Sequence, residues 1–96
     1  MTPLFSVRTT SAFERWLKKL AAKQPDLPAA YKDALQILEV DPYNRTRTHP
    51  IKKLTAVPRG DVQYRLRIGR WRFRYDVYDD LVLLTDCSLR REDTYG

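Results

Sequence analysis

The 96-residue chain has little of what many stabilising and catalytic sites require: it contains one cysteine, one histidine and three glycines. The single cysteine, Cys87, excludes an internal disulfide and is typical of a reducing compartment. One histidine and one cysteine cannot complete a structural zinc site without several carboxylates, and no glycine-rich phosphate loop is present. We therefore expect neither a metal nor a cofactor.

Long apolar runs are also missing. No run reaches the length of about 18 apolar residues that a membrane-spanning helix needs. The first residues, Met-Thr-Pro-Leu-Phe-Ser, contain neither a basic region nor a long apolar stretch, so we expect no secretion signal and a cytoplasmic location. The apolar fraction of 43% is close to that of globular proteins, and the length suits a single domain over residues 1–96.

Positive charge is abundant and unevenly placed, with a net charge of +6. The segment 50–75 has eight basic residues against one acid, Asp61, whereas the segment 76–96 has six acids against two arginines. The eight basic residues are Lys52, Lys53, Arg59, Arg65, Arg67, Arg70, Arg72 and Arg74. Such a patch is typical of a protein that binds nucleic acid or an acidic protein partner.

The centre of this basic segment, residues 64–75, reads Y-R-L-R-I-G-R-W-R-F-R-Y. Its alternation predicts two strands joined by a two-residue loop at Gly69-Arg70. The predicted apolar face holds Tyr64, Leu66, Ile68, Trp71, Phe73 and Tyr75. The opposite face then sets Arg67 against Arg72 and Arg65 against Arg74. Because like charges directly opposite destabilise a sheet, this pattern indicates a polyanionic partner; a solvated basic face is the alternative.

Two helices are predicted before this hairpin. Ser11 followed by Glu14 suggests a capping box that opens the first helix, and Gln24-Pro25 ends it. Asp26 can cap the second helix, and Asp41-Pro42 stops it. The apolar stripes at helical spacing are Phe13, Leu17 and Leu20 beside Trp16, and then Tyr31, Leu35 and Leu38 beside Ala34 and Ile37. The short connection predicts an antiparallel helical hairpin.

The remaining segments are predicted as strands and loops. A short strand at Leu4–Val7 comes first, and the loop Tyr43–Pro50 leads into a short extended piece at Ile51–Leu54. Three antiparallel strands are expected at Val62–Ile68, Trp71–Tyr78 and Leu81–Cys87, with a tight turn at Asp79-Asp80. In this register Asp86 faces Phe73 on the apolar side, which is unfavourable for a carboxylate. The predicted fold is α+β, in the order β-α-α-β-β-β, with the helical hairpin on one face of an antiparallel sheet.

Arginine, lysine and tyrosine side chains in such a set suit metal-free cleavage of RNA. In that reaction the ribose 2′-hydroxyl loses its proton, attacks the adjacent phosphorus and expels the 5′-oxygen. Arginine can stabilise the phosphate but is a poor base, which leaves Lys52, Lys53, Tyr95 or a nearby carboxylate as the base. The alternative is that the lysines are solvated and that Tyr95 only anchors the C-terminus.

Several segments together resemble a known family. They are Asp41-Pro42-Tyr43, Ile51-Lys52-Lys53-Leu54, residues 64–75 and Leu89-Arg90-Arg91-Glu92-Asp93-Thr94-Tyr95. In this order they resemble the RelE/ParE superfamily, whose members are toxins of bacterial type II toxin–antitoxin modules. The resemblance implies the same β-α-α-β-β-β fold and a cognate antitoxin as partner. It also implies one of two activities, since RelE-like members cut mRNA on the ribosome and ParE-like members poison DNA gyrase.

The resemblance further implies site residues. The catalytic candidates are Arg72, Arg91, Tyr95, Lys52 and Lys53, and the phosphate-binding candidates are Arg65, Arg67, Arg74 and Arg90. The chain departs from the pattern at Arg65 and Arg67, where some relatives have lysine, and at Arg90, where histidine is common. The terminal spacing from Arg91 to Tyr95 favours a ribosome-dependent mRNA endoribonuclease. A gyrase inhibitor and an inactive RNA- or partner-binding relative are the alternatives.

Overall fold

A computed structural model of the chain describes residues 4–54 and 64–89. In these ranges the elements are β1 Ser6–Thr9, α1 Ser11–Lys23, α2 Leu27–Val40, β2 Ile51–Lys53, β3 Tyr64–Ile68, β4 Trp71–Tyr78 and β5 Leu81–Leu89. The strands form one sheet in the order β1-β5-β4-β3-β2. Neighbouring strands are antiparallel except for β1 and β5, which are parallel. The predicted α+β fold is confirmed, and the extended piece that begins at Ile51 joins the sheet as an edge strand.

Helix α1 begins one residue earlier than its sequence suggested. Thr10 is the N-cap, and its side-chain oxygen accepts a hydrogen bond from the Phe13 N–H at 3.0 Å. Ser11 is the first residue of the helix, so the predicted capping box of Ser11 and Glu14 is wrong. The Glu14 carboxylate instead accepts a hydrogen bond from the Thr9 hydroxyl, which lies on the adjoining strand β1.

Proline and aspartate set the junction between the two helices. Helix α1 ends at the C-cap Gln24, as predicted, because the residue before a proline avoids helical backbone. Asp26 occupies the N-cap position of α2, but its carboxylate does not bond to the helix and binds the β3–β4 hairpin instead. Neither helix in the described parts of the chain is long and apolar enough to cross a membrane.

The two helices cover one face of the sheet. The helical residues buried there are Phe13, Leu27, Ala30, Ala34 and Leu38, and the sheet contributes Leu66, Trp71, Phe73, Tyr75, Val82, Leu84 and Cys87. Tyr31 lies between Phe13 and Phe73, with ring centroids 6.1 and 6.2 Å away. This burial of apolar surface is the main force that fixes the sheet against the helices.

The predicted alternation of β3 and β4 is confirmed. Leu66, Trp71, Phe73 and Tyr75 are buried on the helix-facing side, and Tyr64 and Ile68 pack at the margin of the same core. Gly69 has a φ of +59°, a backbone conformation that glycine adopts without strain, and it forms the predicted tight turn with Arg70. The four arginines that alternate with these apolar residues therefore extend from the other face of the sheet; they are Arg65, Arg67, Arg72 and Arg74.

Candidate nucleic-acid interface

Two rows of side chains cross the sheet face that is turned away from the helices. In one row, Arg67 on β3 pairs with Arg72 on β4, and Ser88 on β5 comes next. The other row consists of Lys52 on β2, Arg65 on β3, Arg74 on β4 and Asp86 on β5. The predicted pairs of facing arginines are thus confirmed as cross-strand neighbours. Such neighbours have Cβ atoms about 4.5–5.5 Å apart, so the sheet holds like charges close together.

Arg72 and Arg74 have a feature that a merely solvated arginine lacks. Both side chains are half-buried, and their Nε atoms are buried with no hydrogen-bond partner within residues 4–54 and 64–89. A buried donor left without an acceptor costs about 1–3 kcal/mol, and more when the group is charged. A phosphate group suits such side chains, since its oxygens match the planar fork of a guanidinium group and its charge offsets theirs.

A β-bulge in β5 changes the predicted position of Asp86. Tyr75 pairs with Leu84, as expected, but Arg74 pairs with Asp86, and Thr85 between them is the extra residue. Cys87, rather than Asp86, therefore lies opposite Phe73 in the core. The prediction of a carboxylate on the apolar face is wrong, because the extra residue reverses the side-chain alternation beyond Leu84. The bulge places Asp86 on the sheet face turned away from the helices. We call this the arginine face, because it carries Arg65, Arg67, Arg72 and Arg74.

The two candidate lysines lie on opposite faces of β2. Lys52 pairs with Arg65 and so joins the arginine face, whereas Lys53 pairs with Tyr64, whose ring packs on the helix-facing side. Beside Lys52 is a depression of about 250 Å³, lined by Pro50, Ile51, Lys52, Arg65 and Arg67. The structure thus brings Lys52 together with Arg65 and Arg67, and it places Lys53 away from them.

The loop before β2 is organised around Asp41. The carboxylate accepts hydrogen bonds from the Arg45 and Thr46 backbone N–H groups and from the Thr46 hydroxyl, at 2.8, 3.3 and 2.7 Å. Burial opposes ionisation of Asp41, but the bonds from Thr46 and Arg45 outweigh it and keep the pKa of the carboxyl below its usual value. The loop ends at Pro50, whose carbonyl accepts a hydrogen bond from the Arg67 N–H at 3.0 Å. It thereby fixes the position of β2 beside β3.

The tip of the β3–β4 hairpin is attached to the helical junction. Arg70 donates to the Asp26 carboxylate from Nε at 3.0 Å and from a terminal nitrogen at 2.9 Å. Trp71 donates to the same carboxylate from Nε1 at 3.0 Å, and Gln24 accepts a further bond from Arg70 at 2.6 Å. The Arg70 hydrogen bond is the main cause that lowers the pKa of Asp26 to about 2. Since Arg72 follows Trp71 directly, this attachment holds the first residues of strand β4 in place.

The buried phenol and thiol groups in the described part of the chain serve structure. The Tyr75 hydroxyl donates to the Pro42 carbonyl at 2.6 Å, and its ring stacks on Tyr64 with centroids 5.5 Å apart. Burial raises the pKa of both tyrosines. Burial also raises the pKa of the Cys87 thiol to about 12, so this thiol is protonated and is not a nucleophile at neutral pH.

Three of the candidate residues, Arg90, Arg91 and Tyr95, lie outside the described residues, and their roles stay predictions. Within residues 4–54 and 64–89, no three histidine, cysteine, aspartate or glutamate side chains come together to hold a metal ion. The described part of the interface consists of basic side chains, with Asp86 at one end of a row. The basic residues are Lys52, Arg65, Arg67, Arg72 and Arg74.

The fold and the arginine face define an α+β protein with a mixed sheet, covered by helices on one side and basic on the other. In structure, the chain is similar to a chain in the crystal structure of the archaeal RelE–RelB complex from Pyrococcus horikoshii OT3. The TM-score is 0.67 at 23% sequence identity, and the match covers 96% of this chain and 99% of that one. The likeness shows that the chain has the RelE fold. Protein-family models and curated protein sequences give no match.

Proposed function

We propose that this chain is the toxin of a type II toxin–antitoxin pair and that it inhibits translation by cutting mRNA on the ribosome. The RelE fold supports a toxin, and the similar structure is a RelE–RelB complex, which supports an antitoxin as partner. The motif at residues 64–75 and the terminal Arg91 and Tyr95 resemble the ribonuclease branch of the superfamily. The proposed ribosomal target and the lone, buried Cys87 are consistent with a cytoplasmic location.

One observation carries the proposal: the arginines of β3 and β4 face one another, and two of them bury an Nε atom without a partner in the described part of the chain. Facing like charges and unsatisfied donors both lower the stability of a fold. A bound phosphodiester relieves the first cost, because its negative charge offsets the repulsion, and its oxygens match the planar fork of a guanidinium group. The arrangement is therefore suited to hold an RNA backbone.

The proposed reaction is attack of a ribose 2′-oxygen on the adjacent phosphorus. Arg72 and Arg74 bind the non-bridging oxygens, where negative charge develops, and Arg65, Arg67 and Lys52 hold the flanking backbone. Of the two lysines, the register of β2 favours Lys52 as the one that reaches RNA. Arg90 and Arg91 add phosphate contacts from the terminal segment, and Tyr95 exchanges a proton or stacks on a base. The cations of the protein take the place of a metal ion.

Expression without antitoxin, followed by primer extension on a translated message, tests this proposal. We expect growth to stop through loss of translation, with cuts inside translated codons. Arg72→Ala, expressed at the same level, should leave the message intact and serves as the control. A gyrase supercoiling assay beside it tests the ParE-like alternative. Intact messages together with trapped gyrase–DNA breaks would contradict the nuclease proposal and support a gyrase inhibitor.

A further inference from the structure

A β-bulge places one carboxylate at the end of a row of cations. Up to Leu84, β5 alternates in phase with β4, and a regular continuation would bury Asp86. The extra residue Thr85, whose hydroxyl donates to the Arg74 carbonyl at 3.4 Å, turns Asp86 to the arginine face. Bulges occur frequently beside active sites, where they redirect a side chain. The position of Asp86 on this face is thus a product of the bulge.

Asp86 has no structural ion-pair partner among the described residues 4–54 and 64–89. Within the described residues its carboxylate makes no hydrogen bond and no ion pair, and the neighbouring Nε of Arg74 has no acceptor either. The other carboxylate on this face, Asp76, is engaged: it accepts from the Val77 N–H at 2.9 Å and from the Tyr78 hydroxyl. Within the described part of the chain, the Asp86 carboxylate therefore remains available to a ligand.

We propose that Asp86 is the proton acceptor for the ribose 2′-hydroxyl, an inference that rests on the proposed nuclease function. As the bond between the 2′-oxygen and phosphorus forms, the 2′-hydroxyl proton passes to the Asp86 carboxylate. The bond from phosphorus to the 5′-oxygen breaks, and this oxygen takes a proton from water. The products are a 2′,3′-cyclic phosphate and a 5′-hydroxyl end. Aspartate carboxylates act as general bases of this kind.

The order of the strands favours Asp86 over a lysine for this role. Asp86 lies on β5, next to Arg74 on β4, whereas Lys52 lies on β2 with β3 in between. Adjacent strands are about 4.8 Å apart, so Asp86 is about 5 Å and Lys52 about 10 Å across the sheet from the Arg74 backbone. A carboxylate oxygen also carries lone pairs that can accept a proton, whereas an ammonium nitrogen has none.

Single-turnover cleavage on programmed ribosomes tests the assignment with Asp86→Asn, which keeps the size and polarity of the side chain. We expect cleavage to slow by about 10²–10⁴-fold, the range for a general base, while binding to the ribosome changes little. Asp86→Glu should recover part of the rate. Asp80→Asn, which removes an exposed carboxylate from the turn between β4 and β5, is the matched control and should cleave normally.

Comparison in an Arg74→Ala background separates a base from a residue that only orients Arg74. If Asp86 is the base, adding Asp86→Asn to the Arg74→Ala variant should slow cleavage further. No further slowing would overturn the proposal. If the Asp86→Asn variant cleaves mRNA as fast as the wild-type chain, the assignment of Asp86 as the base is overturned and the nuclease proposal stands. A wild-type chain that leaves mRNA intact would overturn both. Asp86→Ser replaces Asp86→Asn in these comparisons if thermal melting shows that the asparagine variant is unfolded.

Discussion

Arg70 and Asp26 are 44 residues apart in sequence, yet they form a paired hydrogen bond that attaches the hairpin tip to the helical junction. The Nε atom and one terminal nitrogen of Arg70 reach the two oxygens of the Asp26 carboxylate at 3.0 and 2.9 Å. Paired bonds of this geometry are stronger and more directional than single neutral ones. The arginine face begins directly after this attachment, at Arg72, so the contact links the helical layer to the proposed site.

The first prediction concerns the acid stability of this contact. The pKa of Asp26 is lowered from 3.8 to about 2 by the bonds from Arg70 and Trp71. A carboxyl with a depressed pKa in the folded state stabilises the fold above its unfolded value and loses that effect as the pH falls through the folded one. We therefore expect Asp26→Asn to lower the free energy of unfolding at pH 6, with the difference from wild type shrinking between pH 4 and pH 2.

Chemical denaturation of both proteins across this pH range measures the difference. Asp33→Asn is the matched control, because Asp33 is an exposed carboxylate on α2, and it should leave the same pH dependence as wild type. A wild-type protein and an Asp26→Asn variant that lose stability in parallel between pH 4 and pH 2 would show that the ionised carboxylate contributes nothing there.

Arg72→Ala should abolish toxicity and leave the fold intact. The side chain lies on the arginine face and pairs with Arg67, so its removal leaves no core cavity and relieves repulsion. Because the side chain lies outside the core, its removal should not lower the free energy of unfolding by more than about 0.5 kcal/mol. Loss of a preorganised phosphate contact should reduce the cleavage rate by about 10²–10³-fold. Thermal melting and single-turnover cleavage check the two parts, with Arg15→Ala on the exposed side of α1 as a control that should remain toxic.

Phe73→Ala and Leu66→Ala should behave in the opposite way. These residues are cross-strand partners on the helix-facing side, and both are fully buried. Removing either side chain should lower the free energy of unfolding by about 2–5 kcal/mol, a large part of the total for a small domain. Urea denaturation measures this loss. Wild-type stability in both variants would mean that the two faces of the hairpin have been exchanged.

The β3–β4 hairpin could be predicted from the sequence, but its contacts with the helical junction could not. Alternation around Gly69 predicts the register of β3 and β4, since the side-chain period of a strand and a two-residue turn leave no other arrangement of the apolar residues. The N-cap position of Asp26 was also predicted correctly. Its bonds to Arg70 and Trp71 were not, because no local pattern indicates which distant donors a carboxylate will meet.

The bulge in β5 did leave a signal in the sequence. Val82 and Leu84 alternate with polar or half-buried positions, but the next buried residue is Cys87, three positions after Leu84 rather than two. The adjacent polar residues Thr85 and Asp86 mark the point where the phase changes. A regular strand assumes a constant period of two, and so the placement of Asp86 on the arginine face required the structure.

The final prediction uses the two lysines of β2 as a matched pair, since they are adjacent, exposed and of equal charge. Lys52 pairs with Arg65 on the arginine face, and Lys53 pairs with Tyr64 on the other. Lys52→Ala should weaken binding to a short single-stranded RNA and reduce the slope of log affinity against log salt by about 0.7, the value for one lost phosphate contact. Lys53→Ala should leave the slope unchanged.

Fluorescence anisotropy with a labelled RNA oligonucleotide, titrated at several salt concentrations, measures both slopes. The two variants have the same net charge, so a long-range effect of charge alone would lower affinity equally in both. An equal change would therefore mean that RNA does not contact β2 directly. A larger effect of Lys53→Ala would place the RNA beside Tyr64, on the helix-covered side of the sheet, and would contradict the assignment of the arginine face as the binding surface.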